Sequence, residues 1–190
     1  MGYKKGLYIL LPLAILLVYL FIDPISLADS KPTKLNVYIS NNIISMDQAD
    51  HLMNQFKLNI VGDETDDYIY QIDTDILLSV KAPSPAELID AGRFTAQIAA
   101  NELDILITDE EIVRHYTELD GFSDLSKIEQ LDLRQFDNSQ MIRDEERIYS
   151  IKLEDQLGKD KPQWISIPKT SQRKDMATMF IVYLLEGESI

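Results

Sequence analysis

The sequence predicts an α/β domain, one open and mostly parallel sheet with helices on both faces, preceded by an N-terminal transmembrane helix. Three observations predict it. Short β-branched runs alternate with amphipathic helical stretches from Lys34 onward. Three of those helical stretches open on a Ser or Thr followed three residues later by Gln or Glu. An uncharged apolar run, Gly6 to Ile22, stands apart at the N-terminus. The division expected is an anchor over 1–23, a linker over 24–33 and an extracytoplasmic domain over 34–187.

The apolar run is roughly 25 Å long as a helix, close to the thickness of a hydrocarbon core. Lys4 and Lys5 precede it and Asp23 follows. The positive-inside rule then puts the N-terminus in the cytoplasm and the remainder outside, on a cell membrane crossed once through residues 6–22. Two readings fit the segment: an uncleaved signal anchor, or a signal peptide cut after Ala28 in Ser26-Leu-Ala28. Both export the domain.

Leu35–Ser40 alternates and reads as a strand. Ser45-Met-Asp-Gln48 forms a capping box, and Met46, Ala49, Leu52, Met53 and Phe56 follow at helical spacing. Leu58–Val61 reads as a second strand, and Ile69–Val80 as further extended chain. Ser84-Pro-Ala-Glu87 is the second box, with Pro85 at the first helical position, where its missing N–H costs nothing. Leu88, Ala91, Phe94 and Ile98 form the inward stripe of a helix to about Asn101. Leu103–Ile107 is a short strand apolar on both faces. Thr108-Asp-Glu-Glu111 is the third box, opening a helix with Ile112, Val113, Tyr116 and Leu119 inward and Gly121 as its left-handed terminus. Phe122–Met141 is irregular. Arg147–Leu153 and Trp164–Ile167 are strands, and Ser171 caps a buried final helix that includes Met176–Leu185 and stops at Gly187.

Composition excludes several functions. The net charge is −14, and the anchor region contributes +1, so the rest carries −15. Such a surface repels nucleic acid, and no run of Lys and Arg breaks it. The chain has no cysteine, so disulfides, thiol catalysis and cysteine-ligated zinc are ruled out. Asp63, Glu64, Asp66 and Asp67 lack the spacing and glycine of a calcium loop, as do Asp73 and Asp75, and read as solvated acidic chain. His51 and His115 each lie on a helix with no second ligand nearby, at surface or boundary positions. No phosphate-binding glycine loop, nucleophile elbow or zinc-protease motif is present, and neither cofactor nor metal is expected.

The order of these pieces resembles the first lobe of type II periplasmic solute-binding proteins. Arg93-Phe-Thr-Ala-Gln-Ile-Ala-Ala-Asn-Glu-Leu-Asp-Ile-Leu-Ile-Thr-Asp109 resembles that family's helix with a small-residue end and following strand. Gly121-Phe-Ser-Asp-Leu125 resembles its Gly-aromatic-x-x-Leu turn. Arg147–Ile151 resembles the strand that crosses between lobes, and Ile167–Leu185 the returning segment. Only Glu154 to Gln163 stands where the second lobe would be inserted. The resemblance implies a solute-binding-protein-like single lobe and a non-enzymatic protein.

In an open α/β sheet, ligands sit beyond the carboxyl ends of the strands, where strand order reverses. That points to Ser40, Asn41 and Asn42 after the first strand and to Thr108 and Asp109 after Leu103–Ile107. The same residue types also turn chains and cap helices. Asp109, Glu110 and Glu111 already fill the first turn of one helix and Asp47 that of another, so a ligand at this edge is expected to be neutral, cationic or a protein. The expectation is an interaction or accessory domain, with a protein partner or a second copy of the chain, or alternatively a reduced receptor for a small neutral or cationic solute.

Overall fold

A computed structural model describes residues 31–62, 67–153, 157 and 162–186. The segment expected to cross the membrane, the acidic residues Asp63, Glu64 and Asp66, most of Glu154–Gln163 and Gly187 lie outside them. Among the described residues no helix is long and apolar enough to cross a membrane.

Six strands form one sheet: β1 (Thr33–Ile39), β2 (Ile69–Asp73), β3 (Ile105–Thr108), β4 (Met141–Asp144), β5 (Arg147–Leu153) and β6 (Gln163–Ser166). Their spatial order is β2-β1-β3-β6-β5-β4. β1 runs parallel to both β2 and β3, and the remaining three pairings are antiparallel. The sheet is therefore mixed, a correction to the mostly parallel sheet expected. Crossover helices separate the first three strands and force them parallel. β4 and β5 instead meet through the tight turn Glu145-Glu146, with Glu145 in the left-handed region at φ 52°.

The helices are α1 (Met46–Phe56), α2 (Pro85–Ala99), α3 (Glu110–Glu118) and α4 (Lys174–Leu185). On one face Leu35, Val37, Ile39, Ile105, Ile107, Ile151 and Ile165 meet α1 and α4, where the Phe56 and Phe180 rings pack edge-on at 5.0 Å. On the other, Tyr38, Leu106, Trp164, Ile142 and Tyr149 meet Phe94 of α2 and Ile112 and Val113 of α3. Alternation along β1 and β3 sends neighbouring side chains to opposite faces, so one sheet feeds two cores.

The capping boxes at Ser45/Gln48 and Ser84/Glu87 both form, with Pro85 just inside the second helix. The third does not. Asp109, not Thr108, is the N-cap of α3, and it makes no side-chain cap bond: the Thr108 hydroxyl is bonded to Ser40, and Asp109 accepts from Asn41. Leu58–Val61 is no strand. It continues α1 as a wide π-type turn, leaving Leu58 73% exposed, since both sides of β1 are taken by β2 and β3. Beyond Asp73 the expected extended run is irregular. Leu88 and Leu119, expected inward, are exposed, because the second core ends at Ala91 on α2 and at Tyr116 on α3. Gly121 is not the left-handed residue; Asp120 is, at φ 56°. Gly121 is required for closeness instead: a Cβ there would lie 2.9 Å from the Tyr116 carbonyl oxygen that its N–H bonds. Arg173, not Ser171, is the N-cap of α4, and the Ser171 hydroxyl accepts from the Arg173 N–H.

β4 was not foreseen. Its pairing with β5 carries a bulge: Ser150 faces Ile142 and Ile148 faces Arg143, so Tyr149 is the extra residue. Ile148 packs toward the first core while Tyr149 turns into the second.

Candidate functional site

β1 and β3 are parallel neighbours, so their carboxyl ends meet at one edge and bring Ser40 beside Thr108. Both side chains are fully buried, and their hydroxyl oxygens lie 2.5 Å apart. The Ser40 N–H also donates to the Ile107 carbonyl. The two hydroxyls are thus spent on each other, in a hydrogen bond between neighbouring strand ends.

Asn41 and Asn42 follow with φ of 62° and 52°, a conformation that asparagine tolerates better than most residues. Asn41 binds three segments together. Its N–H donates to the Ile76 carbonyl, its Oδ1 accepts from the Leu78 N–H at 2.8 Å, and its Nδ2 donates to Asp109 Oδ2 at 2.7 Å. Asn42 is exposed at the turn. The structure therefore places four of the five predicted residues, Ser40, Asn41, Thr108 and Asp109, in one bonded cluster.

The charge around this edge is negative. Glu110 and Glu111 occupy the first turn of α3, paired on the surface with Arg114 at 2.7 Å and Lys81 at 3.0 Å. The helix dipole is already complemented, which disfavours an added anion. For nucleophilic catalysis a hydroxyl needs a base within hydrogen-bond reach. Here the Ser40 and Thr108 hydroxyls are bonded to each other. His51 is exposed on α1, and His115 is half-buried on α3 with its ring edge-on to Tyr116 at 5.2 Å.

Against this geometry, comparison with known proteins gives the following. No family model matches the chain, and no curated protein matches it. Three solved structures are similar in part. One is an extracellular solute-binding protein family 1 member from Alicyclobacillus acidocaldarius, with 15% identity and a TM-score of 0.42, covering 65% of this chain and 29% of that one. Another is an ABC substrate-binding protein from Listeria monocytogenes in complex with cycloalternan, with 16% identity and a TM-score of 0.41, covering 64% and 29%. The third is the apo form of RafE from Streptococcus pneumoniae, with 12% identity and a TM-score of 0.34, covering 64% and 28%. The chain spans under a third of the length of the proteins it matches.

Two features escaped the sequence. At the opposite edge, where the parallel strands begin, Asp104 is fully buried and holds three elements. It accepts from the Asn36 N–H at 2.9 Å, from Ser171 Oγ at 2.8 Å and from Arg173 Nε at 2.7 Å. The signal was present in the Leu-Asp-Ile-Leu run, since a carboxylate inside an apolar strand demands partners. Near the same edge, two surface hollows of about 400 and 390 Å³ open around the end of α3, β4 and β5, and a third, of about 460 Å³, lies between Val80-Lys81 and α3; cations help line each of them. Their residues come from separate elements, so no run along the chain announces them.

Proposed function

We propose that the chain is a membrane-tethered extracytoplasmic interaction or accessory domain without catalytic activity, built like a single lobe of a type II solute-binding protein. One observation supports this above all. At the edge where such a sheet presents ligand groups, Ser40 bonds Thr108 and Asn41 bonds Asp109, Leu78 and Ile76, so these polar groups hold the loops rather than face a guest. Leu153 pairs directly with Gln163, leaving only Glu154 to Pro162 where the family places its second lobe. The tether is the run Gly6–Ile22, with Lys4 and Lys5 on the cytoplasmic side. A partner protein or a second copy is the expected occupant, and the net charge of −14 turns nucleic acid away.

The test is a thermal-shift screen of the full chain in mild detergent against amino acids, polyamines, sugars and divalent metals. A ligand at 100 times its Kd stabilises by about 2.7 kcal/mol, roughly 5–10 °C for a chain of this size. The expected result is no saturable shift. A shift from one neutral or cationic solute would replace this reading with a reduced receptor. Protease protection in intact cells checks the tether: the domain beyond Asp23 is expected to be cut from outside.

A further inference from the structure

The geometry points to an anion-binding groove on this domain that takes the carboxylates of an extended acidic peptide. Two of the hollows adjoin and share Asp120, Arg147 and Tyr149. Arg114 and Arg143 complete the cationic wall of one, and Lys127, Lys169 and Lys174 that of the other. Six cations therefore face four carboxylates in a chain whose net charge is −14.

The cations are not equally occupied. Arg114 is held by Glu110, Lys169 by Asp120, and Lys127 stands 3.6 Å from Asp124. Arg143 donates only to neutral oxygens, the Asn138 side chain and the Glu145 carbonyl. Arg147 donates to the Tyr149 hydroxyl at 3.3 Å. Neither arginine has a carboxylate within ion-pair distance among the described residues, and the same holds for Lys174. The bulge in β5 turns the buried Tyr149 ring to this side and gives Arg147 its perch. The Thr117 hydroxyl, on a residue lining the first hollow, is buried without a hydrogen-bond partner. Guanidinium groups that hold only neutral oxygens can exchange them for a planar carboxylate, which they grip with two parallel charge-assisted bonds. Two adjoining open basins favour an extended segment bearing several carboxylates over one enclosed small molecule. The acidic remainder of the surface keeps such a segment from binding elsewhere.

This rests on the domain being an interaction module and names a surface for it. The test titrates the full chain in mild detergent with Ac-Glu-Glu-Glu-Glu-NH₂, its all-Gln counterpart and glutarate, by calorimetry. Trp164 fluorescence gives a second readout, since this single tryptophan shares a core with Tyr149 and Ile142. Saturable binding of the Glu peptide alone is expected. Arg147→Gln and Arg143→Gln should each weaken it about tenfold, and Lys81→Gln, in the third hollow, should leave it unchanged. Both arginines are exposed, so an unaltered circular dichroism spectrum verifies folding. Equal binding of the Gln peptide, no binding, or indifference to both arginine substitutions overturns the groove. Binding of glutarate without the peptide overturns the occupant. None of these results moves the solute screen, so the two readings fail separately.

Discussion

Replacing Asp104 tests the reasoning most directly. Its carboxylate is fully buried, and Arg173, its ionic partner, is 24% exposed. Asp104→Ala leaves the Arg173 Nε–H, the Asn36 N–H and the Ser171 hydroxyl without their acceptor, while Arg173 Nη2 keeps the Glu102 carbonyl. Breaking a buried ion pair by deleting one partner costs about 3–5 kcal/mol. Because Arg173 can partly recover water, the low end applies, about 3 kcal/mol. Asp104→Asn keeps the shape and one acceptor oxygen, so about 2 kcal/mol is expected. With a urea m value of about 2 kcal/mol/M, Asp104→Ala should lower the unfolding midpoint by about 1.5 M, followed by Trp164 fluorescence. A double-mutant cycle with Arg173→Ala should return a coupling above about 1 kcal/mol. A cost for Asp104→Ala below about 1 kcal/mol would refute the idea that this carboxylate joins β1, β3 and the start of α4.

Two glycines should respond in opposite senses. Gly121→Ala forces a Cβ to within 2.9 Å of a backbone oxygen and should cost about 1–2 kcal/mol, whereas Gly92→Ala, on α2 with open space around it, should gain about 0.5–1 kcal/mol, both read by thermal unfolding. Asn41→Ala removes the acceptor of the Leu78 N–H, so that amide should exchange with deuterium faster while amides of β5 do not change. Burial pushes the Asp124 carboxyl up, but hydrogen bonds from the Ser126 hydroxyl and from the Ile148 and Ser126 N–H groups outweigh it and hold the group below its ordinary range. Its contribution is then complete above the unfolded value of about 3.9 and fades as pH falls through the lower folded value. The stability gap between the native chain and Asp124→Asn should be constant from pH 5 to 7 and shrink below about pH 4.

Elements with strong periodicity or reciprocal caps were legible in the residues alone. β1, β3, β5, β6 and all four helices lie close to their expected spans, and the Ser45 and Ser84 boxes form as written. What failed depended on distant neighbours. Leu58–Val61 had the composition of a strand but no vacant place beside β1. Met141–Asp144 is a strand only because β5 offers an edge to pair with. Leu88 sits three residues before Ala91, which packs against the core, yet that core does not extend a further turn along α2. The strand ends that carry Ser40, Asn41, Asn42, Thr108 and Asp109 do meet at one edge, but the bonds of Ser40 to Thr108 and of Asn41 to Asp109 were invisible, because these pairs are far apart in sequence. The cationic groove was hidden for the same reason: Arg114, Arg143 and Arg147 become neighbours only when α3, β4 and β5 assemble.

The pairing of Leu153 with Gln163 has an architectural consequence. Directly opposed residues on antiparallel strands stand about 5 Å apart, so the chain leaves the sheet and rejoins it through a gap one strand wide. Lengthening such a connection adds only about 0.6 kcal/mol of closure entropy for each doubling. An independently folding unit whose own termini lie close together could be spliced between these two positions while the six strands keep their order. The scaffold is, in this sense, already cut for a guest module at a single seam.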